Sequence, residues 1–208
     1  MTNVLIVDSA ATGESSVTRR LTAELESILR GRGPVRIVHR DVGTRTIPHL
    51  TSETTPAIRG AEAETESARE ALALSDELIA ELKAADIVVV GAPMYNFGIP
   101  STLKAWFDHV LRAGITFRYS EAGPEGLLKG RKAIVIESRA GLYSEGPMAA
   151  MDSQEPHLRT LLGFMGLDDV AFVRVEKLAF GPDQAAASIA EAVEALRSLA
   201  AEELPLAA

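Results

Sequence analysis

Five short β-branched runs, each followed by a stripe of apolar residues at helical spacing, constrain this chain more than any other feature. VLIV (4–7), VRIV (35–38), IVVV (87–90), AIVI (133–136) and VAFVRV (170–175) read as strands. Three are apolar without interruption, as parallel strands covered on both faces must be. Between them, Val17, Leu21, Leu25 and Ile28 form one helical stripe, and Ala68, Leu72, Ser75, Leu78, Ile79 and Leu82 a second. Leu103, Trp106, Phe107, Val110 and Leu111 form a third, Leu158, Leu161, Leu162 and Met165 a fourth, and Ile189, Val193, Leu196 and Leu199 a fifth. Gly31 and Gly33 stand where a left-handed cap would end the first helix, before Pro34. The alternation predicts an α/β protein, with one five-stranded parallel sheet between two layers of helices. The expected strand order is 2-1-3-4-5, in a single domain over residues 1–208.

Ligands of such sheets bind beyond the carboxyl ends of the strands, near the point where the order reverses. The informative segments are therefore those after the first, third and fourth runs. The first reads DSAATGESSVTRR. It holds neither GxGxxG nor GxxxxGK[ST], so it is neither a dinucleotide fingerprint nor a P-loop. It offers the hydroxyls of Ser9, Thr12, Ser15, Ser16 and Thr18 at the start of a helix. Two readings fit: capping by Ser15 or Ser16, or a phosphate monoester held by hydroxyls and free amides. After the third run, GAPMYNFGIP puts Met94, Tyr95, Asn96 and Phe97 in an exposed loop that water alone covers poorly. A flat ligand would cover it, as would another loop or subunit. After the fourth run, SRAG provides close backbone approach at Ser138, Ala140 and Gly141 and a fixed charge at Arg139. Taken alone, that segment is equally a simple turn.

Composition narrows the chemistry. There is no Cys, which excludes disulfides, thiolate metal sites and redox chemistry on protein sulfur. The four histidines are scattered without metal spacing and read as surface or capping residues. No metal site is expected. A net charge of −8 speaks against nucleic acid, no apolar run is long enough to span a bilayer, and no leader is visible, so a cytoplasmic location is expected. The ten aromatics all lie from Tyr95 onward, so the first half needs an aliphatic core. Six of them crowd between Tyr95 and Tyr119. An acidic phosphoacceptor pocket would need an Asp after the third run, where Gly91, Ala92 and Pro93 stand. The stretch 44–66 is long enough to be a lid, or a plain connection.

Together the MYNF loop, the TFRY and GPEGL runs (116–119 and 123–127), the SRAG turn and LLGFMG (161–166) closely resemble the FMN-dependent NAD(P)H azoreductases. These are flavodoxin-like homodimers that also reduce quinones. The resemblance covers nearly the whole chain and is densest over 71–141. It implies an FMN phosphate at Ala10, Ser16, Val17 and Thr18. It places the flavin ring over Met94, Tyr95, Asn96 and Phe97, with Ser138, Arg139, Ala140 and Gly141 along its other edge. Phe117, Tyr119 and Phe164 would line the substrate slot, some of them across a dimer interface. The family carries Ser where Ala10 stands, and Gly where Ala140 stands; the methyl of Ala140 requires a negative φ. NADH or NADPH would reduce the flavin and a quinone or azo compound would reoxidise it from the same face, in ping-pong fashion, with no obligatory catalytic side chain. The competing readings are a flavodoxin-type electron carrier that does not oxidise NAD(P)H, and a flavin-free relative motivated by Ala10.

Overall fold

The computed structural model describes residues 1–202. The elements run β1 (Thr2–Asp8), α1 (Val17–Arg32), β2 (Val35–Asp41), a short α2 (Thr55–Ile58), α3 (Glu66–Ala84), β3 (Ile87–Pro93) and α4 (Ser101–Val110). There follow β4 (Phe117–Ser120), β5 (Gly123–Gly126), β6 (Lys132–Ser138), α5 (Glu155–Phe164), β7 (Asp169–Val175) and α6 (Pro182–Glu202). Five strands pair in parallel in the order β2-β1-β3-β6-β7, which is the expected 2-1-3-4-5 once the β4-β5 hairpin is set aside. The hairpin was not foreseen. Its strands are four residues each, half of them exposed, the second GPEG, too short and too polar to stand out from a loop.

One apolar layer joins α3, α4 and α5 to one face of the sheet, and the other joins α1 and α6 to the opposite face. The aromatic pair Trp106–Phe107 is wholly buried in the first layer, with rings edge to face at 4.9 Å. In the second layer the side chains are aliphatic, from Val4, Ile6, Leu21, Leu25 and Leu29 to Leu196. Leu29, rather than Ile28, completes the buried stripe of α1.

Three expectations change. Helix α1 runs through Gly31 and ends at Arg32, and Gly33 leaves it extended (φ 159, ψ −174), not left-handed. Stretch 44–66 is an ordered connection: α2 buries Ala57 and Ile58 and packs on α3. His109 is not a surface residue. It is buried in α4, and its Nε2 meets the Pro48 carbonyl at 3.0 Å, tying that connection down. Among the described residues no helix is long and apolar enough to cross a membrane.

Trp106→Ala is expected to cost about 3–5 kcal/mol, because no neighbouring side chain can collapse into so large a void. Denaturant midpoints at unchanged m would measure it; a loss below about 1 kcal/mol would contradict this packing.

A candidate cofactor cleft at the carboxyl edge of the sheet

Strand register decides which loops meet. Asp8 lies beside Gly91, Pro93 beside Ser138, and Ser138 beside Val175, so four strands end on one edge. The loops that follow them enclose an open cleft of about 320 Å³. It is lined by Thr12, Ser15, Ser16 and Val17 at one end, by Pro93, Met94 and Tyr95 along one side, and by Ser138, Arg139 and Ala140 along the other. Leu178 and Ala179, after β7, complete it.

The first loop is shaped for an anion. Ser16 caps α1 with its hydroxyl near the Arg19 amide, and the first-turn amides of Val17 and Thr18 have no acceptor inside the helix. Of the two expected readings, the structure shows the cap at Ser16, and it leaves the first-turn amides and the helix dipole facing the cleft. Thr18 is buried and shares its hydroxyl with that of Ser16 at 2.9 Å. Ser9 takes no part, since its buried hydroxyl donates to the Gly91 carbonyl at 2.7 Å. Ala10 is buried beneath the loop. The turn after β2 is fixed two residues earlier, where the Val42 and Gly43 amides donate to the Asp8 carbonyl, and it presses against Ala10. A Cβ on Gly43 would fall 2.2 Å from the Ala10 carbonyl oxygen, so only glycine permits this approach. Burial raises the Asp8 carboxyl above its usual range, against the opposing Thr22 hydrogen bond and Arg19 charge.

The third loop is a tight turn in which Tyr95 and Gly98 exchange backbone hydrogen bonds. Both central residues are left-handed: Asn96 at φ 47 and Phe97 at φ 72. For a bulky aromatic this conformation costs of order 1–3 kcal/mol, and such strain gathers where a ligand is held. The Tyr95 hydroxyl accepts from the Ala11 amide at 3.1 Å, joining the turn to the phosphate loop. Asn96 and Phe97 stand exposed beyond the cleft.

The wall after β6 differs from expectation at Arg139. Its guanidinium offers no charge to a ligand. It is wholly buried, paired with Glu137 (2.8 Å), Asp152 (3.0 Å) and Glu176 (3.2 Å), and it donates to Gln154 at 3.0 Å. Ala140 is not among the residues with positive φ, so its methyl is accommodated. Gly141 lies against Tyr143, and a Cβ there would come within 3.0 Å of that ring. Burial pushes the Glu137 carboxyl up to about 8; Arg139 opposes the rise, while Glu155 and Asp152 reinforce it. Burial also acts to raise Glu176, but the Ser144 hydroxyl, the Tyr143 amide and Arg139 outweigh it and hold that carboxyl low.

Phe117, Tyr119 and Phe164 come together, but not at this cleft. Phe117 sits 4.6 Å from the Phe164 ring and 5.6 Å from Tyr119, and Tyr119 is 73% exposed. Sequence reasoning missed Pro93, Leu178, Ala179 and Tyr143. The segment after the fifth run was not searched, although the edge rule that selected the others applies to it equally.

The comparisons agree with this fold. A family model described as flavodoxin-like fold matches residues 2–200. A protein of Hyphomonas neptunium named FMN-dependent NADH:quinone oxidoreductase is 54% identical over 190 residues, covering 91% of each chain. This chain belongs to that family. Among solved structures, an azoreductase from Bacillus anthracis superposes with TM-score 0.87 at 29% identity, covering 96% of this chain and 99% of its own. An FMN-dependent NADH-azoreductase from the same species, solved in complex with FMN, superposes with TM-score 0.85 at 25% identity, covering 96% and 100%. In this member of the family, Thr12, Ser15 and Ser16 line the cleft after β1, with the Ser15 hydroxyl donating to the Thr12 carbonyl at 2.9 Å and the Ser16 hydroxyl shared with Thr18, while Ser9 is committed elsewhere.

Glu137 gives a sign-specific prediction for the protein without cofactor. Between 4.5 and about 8 the folded carboxyl keeps a proton that the unfolded one loses, so this group makes stability fall as pH rises through that window. Its contribution is at most about 1.4 kcal/mol per pH unit. Glu137→Gln should flatten the profile there; parallel profiles for variant and wild type would contradict the assignment.

Proposed function

We propose that the chain is an FMN-dependent NADH:quinone oxidoreductase that also reduces aromatic azo compounds. The observation that carries this reading is the convergence of an anion-accepting helix start and a strained aromatic turn on one open cleft. The amides of Val17 and Thr18, with the hydroxyls of Thr12, Ser15 and Ser16, suit the FMN phosphate. Met94, Tyr95, Asn96 and Phe97 suit one face of a flat ring system. Ser138, Ala140 and Gly141, with Leu178 and Ala179, suit its edge. When bound, FMN supplies the redox chemistry, accepting reducing equivalents from NADH and passing them to the acceptor.

The residues of the chain orient and enclose. Among the described residues no carboxylate or imidazole lines the cleft, and Arg139 is committed to its buried partners. Protons needed by the acceptor therefore come from water. The cleft is open on one side, so donor and acceptor use that side in turn, which is the basis for expecting ping-pong kinetics. A homodimer is part of the proposal. Tyr119, on a hairpin anchored by Phe117 and Phe164, is exposed to a degree that a second copy would relieve, and it would reach the neighbour's cleft from there.

Anaerobic mixing of the FMN-loaded protein with NADH tests the activity. Loss of the oxidised flavin absorbance, restored on adding a quinone, is the expected result; no loss would leave an electron carrier. Gly141→Val, which drives a side chain into Tyr143, is expected to weaken FMN retention by about tenfold or more. Retention equal to wild type by fluorescence titration would remove the ring from this wall.

A further inference from the structure

Gln154 lies just before α5, carries no charge and is completely buried among charged groups. Its Oε1 accepts from Arg139 Nε at 3.0 Å, and its Nε2 donates to the Ala92 carbonyl at 2.8 Å. An amide satisfies both partners at once, whereas an ionised carboxylate has no donor for Ala92 and an ammonium no acceptor for Arg139. Next to it, the Ser153 amide donates to the Phe97 carbonyl at 3.0 Å. Residues 153 and 154 thus grip the 95–98 turn on both sides, through Ala92 before it and Phe97 within it.

The other end of this grip is also fixed. Asp152 caps the Gln154 amide at 2.8 Å and meets Arg139 with its second oxygen at 3.0 Å. Arg139 reaches Glu176, which accepts from the Tyr143 and Ser144 amides, and the Tyr143 ring stands edge-on to Phe97 at 6.1 Å. The links close a ring of contacts around the cleft rim.

We propose that Gln154 is a positioning residue of the cofactor cleft, coupling the buried Arg139 to the end of β3 so that the left-handed turn at Asn96 and Phe97 holds its shape. This rests on the cleft being the flavin site. A left-handed Phe persists only where its surroundings over-determine it. Small errors in such a supporting contact shift the groups it carries and are felt at the ligand.

Gln154→Glu and Gln154→Leu test this. Gln154→Glu keeps the volume and the acceptor for Arg139 but turns a carboxylate oxygen on the Ala92 carbonyl. It would face Arg139, just after β6, directly, and the charged groups around that guanidinium are Asp152 and Glu155 at the start of α5, Glu137 on β6 and Glu176 after β7, with Arg174 of β7 paired to Glu155. With the carboxylates of Asp152, Glu155 and Glu176 outnumbering the Arg139 and Arg174 charges and burial adding to them, protonation of this Glu is favoured on acidification, and its O–H restores the donor. Both variants are expected to bind FMN about tenfold or more weakly near pH 8, with the bound flavin spectrum shifted towards that of free flavin. From about pH 8 to about pH 6, Gln154→Glu regains affinity and Gln154→Leu does not. Should Gln154→Leu fail to fold by circular dichroism, the pH-dependent recovery of Gln154→Glu carries the test. Affinities within about twofold of wild type in every folded variant, or no recovery of Gln154→Glu on acidification, would overturn the positioning role. A wild type that binds no FMN would overturn the reading of the cleft itself.

Discussion

Every feature of the cleft depends on the parallel register that brings β1, β3, β6 and β7 to an end at one edge. Because Asp8 is level with Gly91 and Pro93 with Ser138, the phosphate loop, the aromatic turn and the 138–141 wall are neighbours in space while lying far apart in sequence. Parallel strands need crossovers, and the crossover helices bury both faces of the sheet. Function is thereby confined to the edge, where the loops are free to carry polar groups without disturbing either apolar layer.

Backbone approach then sets the detail. Gly43 lets the turn after β2 press against Ala10, and Gly91 stands where a Cβ would meet the Asp8 carboxylate at 3.0 Å. The phosphate loop is therefore shaped from below by glycines in neighbouring strands as well as by its own residues. Across the cleft, the left-handed turn is held by side chains instead. The Tyr95 hydroxyl reaches the Ala11 amide, and Gln154 and Ser153 reach Ala92 and Phe97. A charge that the sequence offers to a ligand, Arg139, is used to build this support. The guanidinium is satisfied by Gln154, Asp152 and Glu176, while the surplus of carboxylates around it is eased by burial pushing Glu137 up to about 8 and by the Tyr143 and Ser144 amides that donate to Glu176.

The sheet, its order and the two layers were legible because apolar periodicity is a local signal that burial on both faces enforces. The loops after β1 and β3 were legible as walls of a cleft for a second reason: the edge rule says where to look, and the motifs there match a known family. Side-chain direction was not legible. Nothing in SRAG tells whether Arg139 faces a ligand or the core, since its partners Asp152, Gln154 and Glu176 are brought to it only by folding. His109 is a similar case, recruited by the Pro48 carbonyl from a connection that carries no pattern. The hairpin that carries Phe117 and Tyr119 was equally hidden, because its strands are too short to announce themselves.

The central claim is that this cleft holds FMN with its phosphate at the start of α1 and its ring against the 94–97 turn. A crystal structure of the FMN complex measures this directly. The account predicts density for the phosphate within hydrogen-bond reach of the Val17 and Thr18 amides, and for the ring along Met94, Tyr95 and Asn96 opposite Ser138 and Ala140. A ring bound elsewhere, or a phosphate away from the α1 amides, would contradict it.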